Sequence, residues 1–334
     1  MEEKNSQKGN VFLGIRKIDD LAAILGVRSV QLKTLALNPE YNTFKIPKKS
    51  GGFRTIEAPS QALKRVQKNL NYHLQHVYLL FRPEFVHGFT IKNEKEAHPP
   101  GIVSNARAHI SRSNIMSLDL EDFFHSFSAK SVWDLFRKDP FNFPKPLANI
   151  LTMLTTWYDI LPMGSPVSPV LSNFLTFNLD HKLSVFTASQ NGIYTRYADD
   201  ITFSFNYWIS DEIIQKIKMI ISEEGFRINE KKFRIQSENA RQMVTGLVVN
   251  DKVNINRRYI RQLRTVLFDW RVNGIDRAAR NYYKLRHYPD HPIKYRFQKS
   301  VKGRIQFIGY VRGKNDRIFK NLIEQFKIIQ SSQY

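Results

Sequence analysis

The chain contains no cysteine. Disulfides, thiolate zinc sites and thiol nucleophiles are thereby excluded together, and the absence suits a reducing compartment. No apolar run approaches the roughly 20 residues needed to span a bilayer. Met1 to Asn10 is polar and mixed in charge, without the apolar core of a secretory signal. A cytoplasmic location and no membrane partner are expected. Internal repeats and low-complexity stretches are missing too. Acids are scarce: 30 Asp and Glu stand against 51 Lys and Arg, for a net charge of +21.

What is present is a folding chain. Its 334 residues, 42% hydrophobic and 13% aromatic, suffice for two or three packed subdomains and exclude a disordered tail. Charge of this sign recruits polyanions, nucleic acid above all. From Asp251 to Tyr334 there are 20 Lys or Arg and 6 Asp or Glu, so a quarter of the chain carries two-thirds of the excess. That end is a candidate clamp on a phosphate backbone.

Apolar spacing predicts short helices between Val11 and Leu37. Phe44 and Ile46 alternate with lysines before Ser50-Gly51-Gly52, which predicts a hairpin over 41–59. Leu63, Val66, Leu70, Leu74 and Val77 form a helical stripe. Pro99-Pro100-Gly101 breaks the chain before another helix. Ile115 to Leu120 reads as a buried strand with Ser117 and Asp119 on one face. Ile193 to Phe205 reads as a hairpin with Ala198-Asp199-Asp200 near its tip. A helix follows, capped by Ser210 and ended by Gly225. Gln242 to Asn250 reads as a strand. Helices dominate from Arg257, with Ile260, Leu263, Leu267 and Trp270 on one face. No βαβ unit repeats, so the class is α+β.

Adjacent aspartates repel, and one gains a proton unless a cation sits between them. Asp-Asp alone is usually a solvated turn. Here Asp119 leaves an independent strand, followed by Glu121 and Asp122, and the basic balance already points to nucleic acid. If the strands are neighbours, three carboxylates meet where a hard divalent ion would bind. Two Mg²⁺ ions, with Mn²⁺ as the alternative, suit in-line displacement at phosphorus.

These residues resemble those of the reverse transcriptases. Tyr197-Ala198-Asp199-Asp200 resembles their Y-x-D-D box, and Asp119 to Phe124 their first palm motif. Leu161-Pro162-Met163-Gly164-Ser165-Pro166, running on through Ser168-Pro169 to Ser172-Asn173, resembles the loop between them. Lys45 to Leu63, with Gly51-Gly52-x-Arg54, is similar to the fingers hairpin; Gly225 to Lys232 is similar to the lysine-bearing palm segment. Asn105-Ala106-Arg107-Ala108-His109 and Val244-Thr245-Gly246 resemble two retron signatures. The resemblance runs from about Val11 over nearly the whole chain. No appended maturase or endonuclease domain is expected, as in retrons.

The resemblance implies a right-hand polymerase. Residues 1–110 would carry N-terminal helices and fingers, 111–250 the palm with an insert at about 130–175, and 251–334 a basic helical thumb. Asp119, Asp199 and Asp200 would bind the metals, helped by the carbonyl of Leu120. Phe124 would exclude a ribose 2′-hydroxyl, although by itself it could be a core aromatic. Arg54 and, on weaker grounds, Lys45 would reach the triphosphate. Gly164 would let the backbone approach the nucleotide. Lys232, or its neighbour Lys231, would protonate pyrophosphate. Met163 stands where the family has Gln, which removes an amide contact to the nucleotide's sugar.

Asn105, Ala106, His109, Val244, Thr245 and Gly246 would contact RNA, as would Arg261 and Arg264 on the thumb. Tyr282, Tyr283, Tyr288 and Tyr295 would stack on bases or belong to the core. The implied partners are dNTPs, a cognate structured noncoding RNA and its DNA product, and an effector or toxin protein of an antiphage system. Priming from a guanosine 2′-hydroxyl would give branched RNA–DNA, or msDNA. The rivals are an intron-like or diversity-generating reverse transcriptase and an RNA-binding protein that has lost catalysis. The intact aspartates oppose the last.

Overall fold

The computed structural model describes residues 2–48, 51–93, 96, 98–287 and 290–332. Ser50 and Tyr288, both singled out above, lie outside these residues. Three short helices open the chain, α1 (Glu2–Leu13), α2 (Ile18–Leu25) and α3 (Ser29–Leu37). Next comes the hairpin of β1 (Tyr41–Pro47) and β2 (Phe53–Pro59), paired from Tyr41↔Pro59 to Pro47↔Phe53. Gly51 and Gly52 turn it with φ of 90° and 76°, a region that L side chains avoid. Helix α4 (Gln61–Phe81) then buries the whole predicted stripe from Leu63 to Val77.

After α5 (Ile102–Arg107) the chain enters a four-stranded antiparallel sheet of order β4-β5-β3-β6. Its strands are β3 (Asn114–Asp119), β4 (Ile193–Tyr197), β5 (Asp200–Phe205) and β6 (Arg234–Ser237). Helices α6 (Ala129–Arg137), α7 (Lys145–Thr155), α8 (Ser168–Leu175) and α9 (Phe177–Ser189) fill the gap between β3 and β4. Helix α10 (Asp211–Glu223) starts where Ser210 Oγ accepts from the Ile213 N–H, and Gly225 at φ 82° follows it. Every residue of β3 is buried, because both faces of the sheet are covered. Met116 and Leu118 join one apolar core; Ile115, on the face of Ser117 and Asp119, joins a second.

The single strand expected over 242–250 is corrected. Two-residue strands β7 (Met243–Val244) and β8 (Leu247–Val248) fold back on each other there. Thr245 and Gly246 both have positive φ, 46° and 81°, the geometry of a tight type I′ hairpin turn.

The C-terminal region is helical: α11 (Arg257–Tyr283), bent at Gly274, then α12 (His291–Arg312) and α13 (Arg317–Ser331). Asp290 and Asp316 cap the last two through side-chain bonds to Ile293 N and Ile318 N. Ile260, Leu263, Leu267 and Trp270 turn inward together, and Trp270 packs edge-on against Phe297 and Phe326. Truncating so large a buried ring costs about 3–5 kcal/mol.

The apolar packing does not divide at 110 and 250. Val103, Ala106, Ile115, Val244, Leu247 and Val249 pack with the C-terminal helices, whereas the fingers helices and the rest of the sheet share the other core. Helix α5 and the β7–β8 hairpin thus join sheet to C-terminal bundle. The class is α+β, as expected. Among the described residues no helix is long and apolar enough to cross a membrane.

Candidate active site

Strands β4 and β5 meet at Tyr197↔Asp200, leaving Ala198 and Asp199 as a two-residue turn. Strand β3 lies on the other side of β5, with Asp119 directly opposite Asp200. The Leu120 N–H donates to the Asp199 carbonyl at 3.0 Å, and the Asn229 N–H to the Asp119 carbonyl at 2.8 Å. Two carboxylates therefore face each other across a strand pair, and the third sits at the adjoining turn.

Burial is the first cause that raises the Asp199 carboxyl above its usual range, and the charge of Asp119 adds to it. Asp200 keeps a solvent-exposed edge, yet burial and the charges of Asp199 and Asp119 push it up to about 6. Lys232 Nζ donates to Asp119 Oδ1 at 2.7 Å and, with Arg54, partly offsets the repulsion at Asp199. Among the described residues the acids are not drawn into a preformed metal cage. Lys232 pairs with Asp119 instead. Hard oxygen donors, two of them with pKa raised by burial and by neighbouring carboxylate charge, are the donor set that a divalent cation relieves, so the residues fit the metal that the fold implies.

Beneath the turn lies a cradle that the motifs do not announce. Arg196 is fully buried; its Nε and Nη2 donate to the two oxygens of Asp180 at 2.7 Å each. Its Nη1 donates to the carbonyl of Ala198 and to Asn173 Oδ1, both at 3.1 Å. Tyr194 adds its hydroxyl to Asp180 at 2.5 Å, and Asn173 Nδ2 donates to the Gly88 carbonyl at 3.0 Å. A Cβ on Gly88 would stand 2.5 Å from Ala198 N, so only glycine lets this segment touch the turn. Ala198 itself holds φ 59°, unusual for a residue with a side chain. The cradle keeps it there.

On the fingers side, Arg54 is exposed on β2 and within electrostatic reach of Asp199. Lys45 pairs with Thr55, so its side chain leaves the opposite face of the hairpin from Arg54. A Cβ on Gly164 would lie 2.2 Å from the carbonyl oxygen of Glu57, so strand β2 by itself already demands glycine there. Glu57, which the motifs did not flag, is buried; it accepts from Met163 N at 2.8 Å and faces His125 at 3.4 Å. It ties the Met163–Gly164 loop to the fingers. Phe124 is half-buried, tilted 5.8 Å from Phe89 and 5.6 Å from Phe123.

The expectation of direct RNA contact is corrected for Asn105, Ala106, His109 and Val244, all of which are buried. His109 Nδ1 lies 2.7 Å from Ser204 Oγ and Nε2 2.7 Å from Thr195 Oγ1. Burial, then the nearby His87 and Arg112, lower its pKa to about 3, so it is a neutral pin between α5 and the β4–β5 hairpin. The Asn105 amide is buried without a hydrogen-bond partner. Thr245 and Gly246 do reach the surface, at a cavity of about 240 Å³ that Asp200 also lines.

Arg261 and Arg264 are exposed on α11. Tyr282 packs on Phe297 and bonds Ser300 at 2.8 Å, a core role. Tyr283 and Tyr295 are exposed, with Lys299 over the ring of Tyr295.

Residues 46–296 match the family described as reverse transcriptase (RNA-dependent DNA polymerase). The chain is 33% identical over 251 residues to the retron Ec86 reverse transcriptase of Escherichia coli, covering 73% of this chain and 74% of that one. To the retron Mx65 reverse transcriptase of Myxococcus xanthus it is 31% identical over 279 residues, 75% of this chain and 62% of the relative's length. Among solved structures, telomerase from Candida albicans aligns with a TM-score of 0.46 at 10% identity, over 89% of this chain and 64% of that chain.

Proposed function

The chain belongs to the reverse transcriptases, the RNA-dependent DNA polymerases, and within them to the retron branch; from that premise we propose that it copies part of a cognate structured noncoding RNA, starting from a guanosine 2′-hydroxyl. The product is a branched RNA–DNA molecule. The observation that carries the polymerase chemistry is the register Asp119↔Asp200 with Asp199 at the adjoining turn.

The architecture is that of a right hand: the β1–β2 hairpin as fingers, the four-stranded sheet as palm, and α11–α13 as thumb. Asp119, Asp199 and Asp200, with the Leu120 carbonyl, would hold Mg²⁺. When bound, the metal lowers the pKa of the attacking hydroxyl and stabilises charge on the departing pyrophosphate. The 2′-oxygen attacks the α-phosphorus of a dNTP, its proton leaves, and the bond to pyrophosphate breaks. Arg54 steadies the triphosphate through its guanidinium. Lys232, hydrogen-bonded to Asp119, would give a proton to the pyrophosphate. Phe124 fills the space that a ribose 2′-hydroxyl of the incoming nucleotide would need.

Arg261 and Arg264 on the exposed side of α11 grip the RNA-containing duplex through phosphates. On the strength of family membership, we also place the enzyme in the cytoplasm, with an effector protein, in a bacterial antiphage defence system.

The test is to sequence the nucleic acid that copurifies with the protein, with and without RNase, and to incubate the protein with that RNA, Mg²⁺ and labelled dNTPs. The expected product is short DNA that keeps one ribonucleotide stub after RNase and loses it to a 2′,5′-debranching enzyme. DNA with a free 5′ end, or joined through a 3′-oxygen, would overturn the priming assignment.

A further inference from the structure

The cavity beside the catalytic turn has a floor, a wall and a roof from separate parts of the chain. In register across three strands, Thr202, Ser117 and Arg234 form one row, and they line its floor. Two residues along the same face runs the row of Asp200 and Asp119, about 7 Å away. Tyr197 and Asp200 form the wall; Ile102 and the Thr245–Gly246 turn form the roof. That roof is fastened, because Thr245 Oγ1 donates to the Ile102 carbonyl at 2.9 Å. Below it, the Ser117 hydroxyl is buried without a partner. Arg234 reaches the cavity from the exposed edge strand.

At about 240 Å³ the space is smaller than pockets for drug-sized molecules and suits one nucleoside rather than a base pair. An unpartnered hydroxyl beside a guanidinium asks for a polar, planar ligand with paired acceptors. Guanine presents O6 and N7 in the geometry that an arginine reads with two parallel bonds. Adenine presents a donor at the same place and is refused. A base seated on the floor puts its ribose toward the aspartate row, one strand step away.

We propose that this cavity holds the base of the nucleoside whose 2′-hydroxyl starts synthesis, and that Arg234 reads its O6 and N7. The inference rests on the 2′-priming reading given above. The turn of the Val244-Thr245-Gly246 element then closes the roof over the base.

The test uses the full protein and its copurifying RNA, resynthesised with guanosine, 7-deazaguanosine or adenosine at the mapped branch position. The readout is the single-turnover rate of the first dNTP addition. For the unaltered enzyme, adenosine should be slower than guanosine by about 5- to 150-fold, and 7-deazaguanosine, which lacks N7, slower by about 5- to 10-fold. Arg234→Gln should shift preference toward adenosine, whose N6 and N7 match a carboxamide, and should lose its sensitivity to the missing N7. A residue that only supported the sheet would slow all three RNAs alike. If the variant fails to fold, as judged by its melting curve, the 7-deazaguanosine result on the unaltered enzyme still decides. Absence of any 2′-linked product would sink the priming reading, and the pocket with it. Guanosine-primed product with equal rates from 7-deazaguanosine would leave the priming reading intact and overturn the pocket alone.

Discussion

Removing the carboxylate of Asp180 should disable the enzyme from beneath its active site. Asp180→Ala strips two charge-assisted bonds from Arg196 and one from Tyr194, leaving a guanidinium that is fully buried and unpaired by any acid. Breaking a buried pair on one side costs about 3–5 kcal/mol, which lowers the melting temperature by on the order of 10 °C. Replacing both partners with apolar residues of similar volume, Asp180→Leu with Arg196→Met, removes the stranded charge and should recover most of that loss.

The double variant still lacks the bond from Arg196 to the Ala198 carbonyl, 3.1 Å long in the intact chain. Ala198 would then relax from φ 59°, a conformation that costs a non-glycine residue about 1–3 kcal/mol. Displacing Asp199 by about 1 Å is worth roughly a hundredfold in rate. Melting curves and single-turnover dNTP incorporation on the same preparations separate the two effects. Stability should return while kcat stays depressed and RNA affinity is kept. Recovery of both stability and kcat in the double variant would refute the cradle's role in positioning the turn.

Gly164→Ala should cost about 1–3 kcal/mol, since its Cβ would meet the Glu57 carbonyl at 2.2 Å and neither backbone can yield freely. It should also raise KM for dNTPs by pushing the fingers away; an unchanged melting curve and KM would contradict the contact. Phe124→Ala should weaken discrimination against ribonucleotides by about 10- to 100-fold, read as the ratio of kcat/KM for dNTP and rNTP. An unaltered ratio would return Phe124 to the core. His109 has a folded pKa of about 3, below its usual 6.5, so its stabilisation is complete above about 6.5 and is lost as pH falls. Between pH 7 and pH 5 the unfolded chain takes up the proton, which costs about 2 kcal/mol. His109→Gln should flatten that part of the slope in denaturant titrations, and identical slopes would show that the imidazole is not neutral in the fold.

The aspartates were legible in the sequence because the chemistry proposed for them needs particular residue types in a particular order, and the order survives in one dimension. The β4–β5 hairpin, the stripe of α4 and the inward face of α11 followed from periodicity alone. Arg196 and Asp180 stayed hidden for the converse reason. Alone in its strand, an arginine reads as surface, and nothing local reveals an acid on α9 lying 2.7 Å away. At Gly164 the sequence could not show a further demand for glycine, because the backbone that presses on it comes from a strand more than a hundred positions earlier. His109 and Asn105 sit in a recognisable element, yet recognition of a motif does not say which way its side chains face. The break at Thr245-Gly246 was written in the dipeptide itself and was overridden by the apolar run around it.

The proposed function assigns catalysis to the acids at the hairpin turn and on the strand beside it. The direct measurement is single-turnover addition of one labelled dNTP to the copurifying RNA by the unaltered chain and by Asp199→Asn with Asp200→Asn. The pair of substitutions keeps size and removes charge; it should slow incorporation by at least about a thousandfold while RNA binding persists. Incorporation at the unaltered rate by the doubly substituted chain would contradict the assignment of these carboxylates to the chemistry.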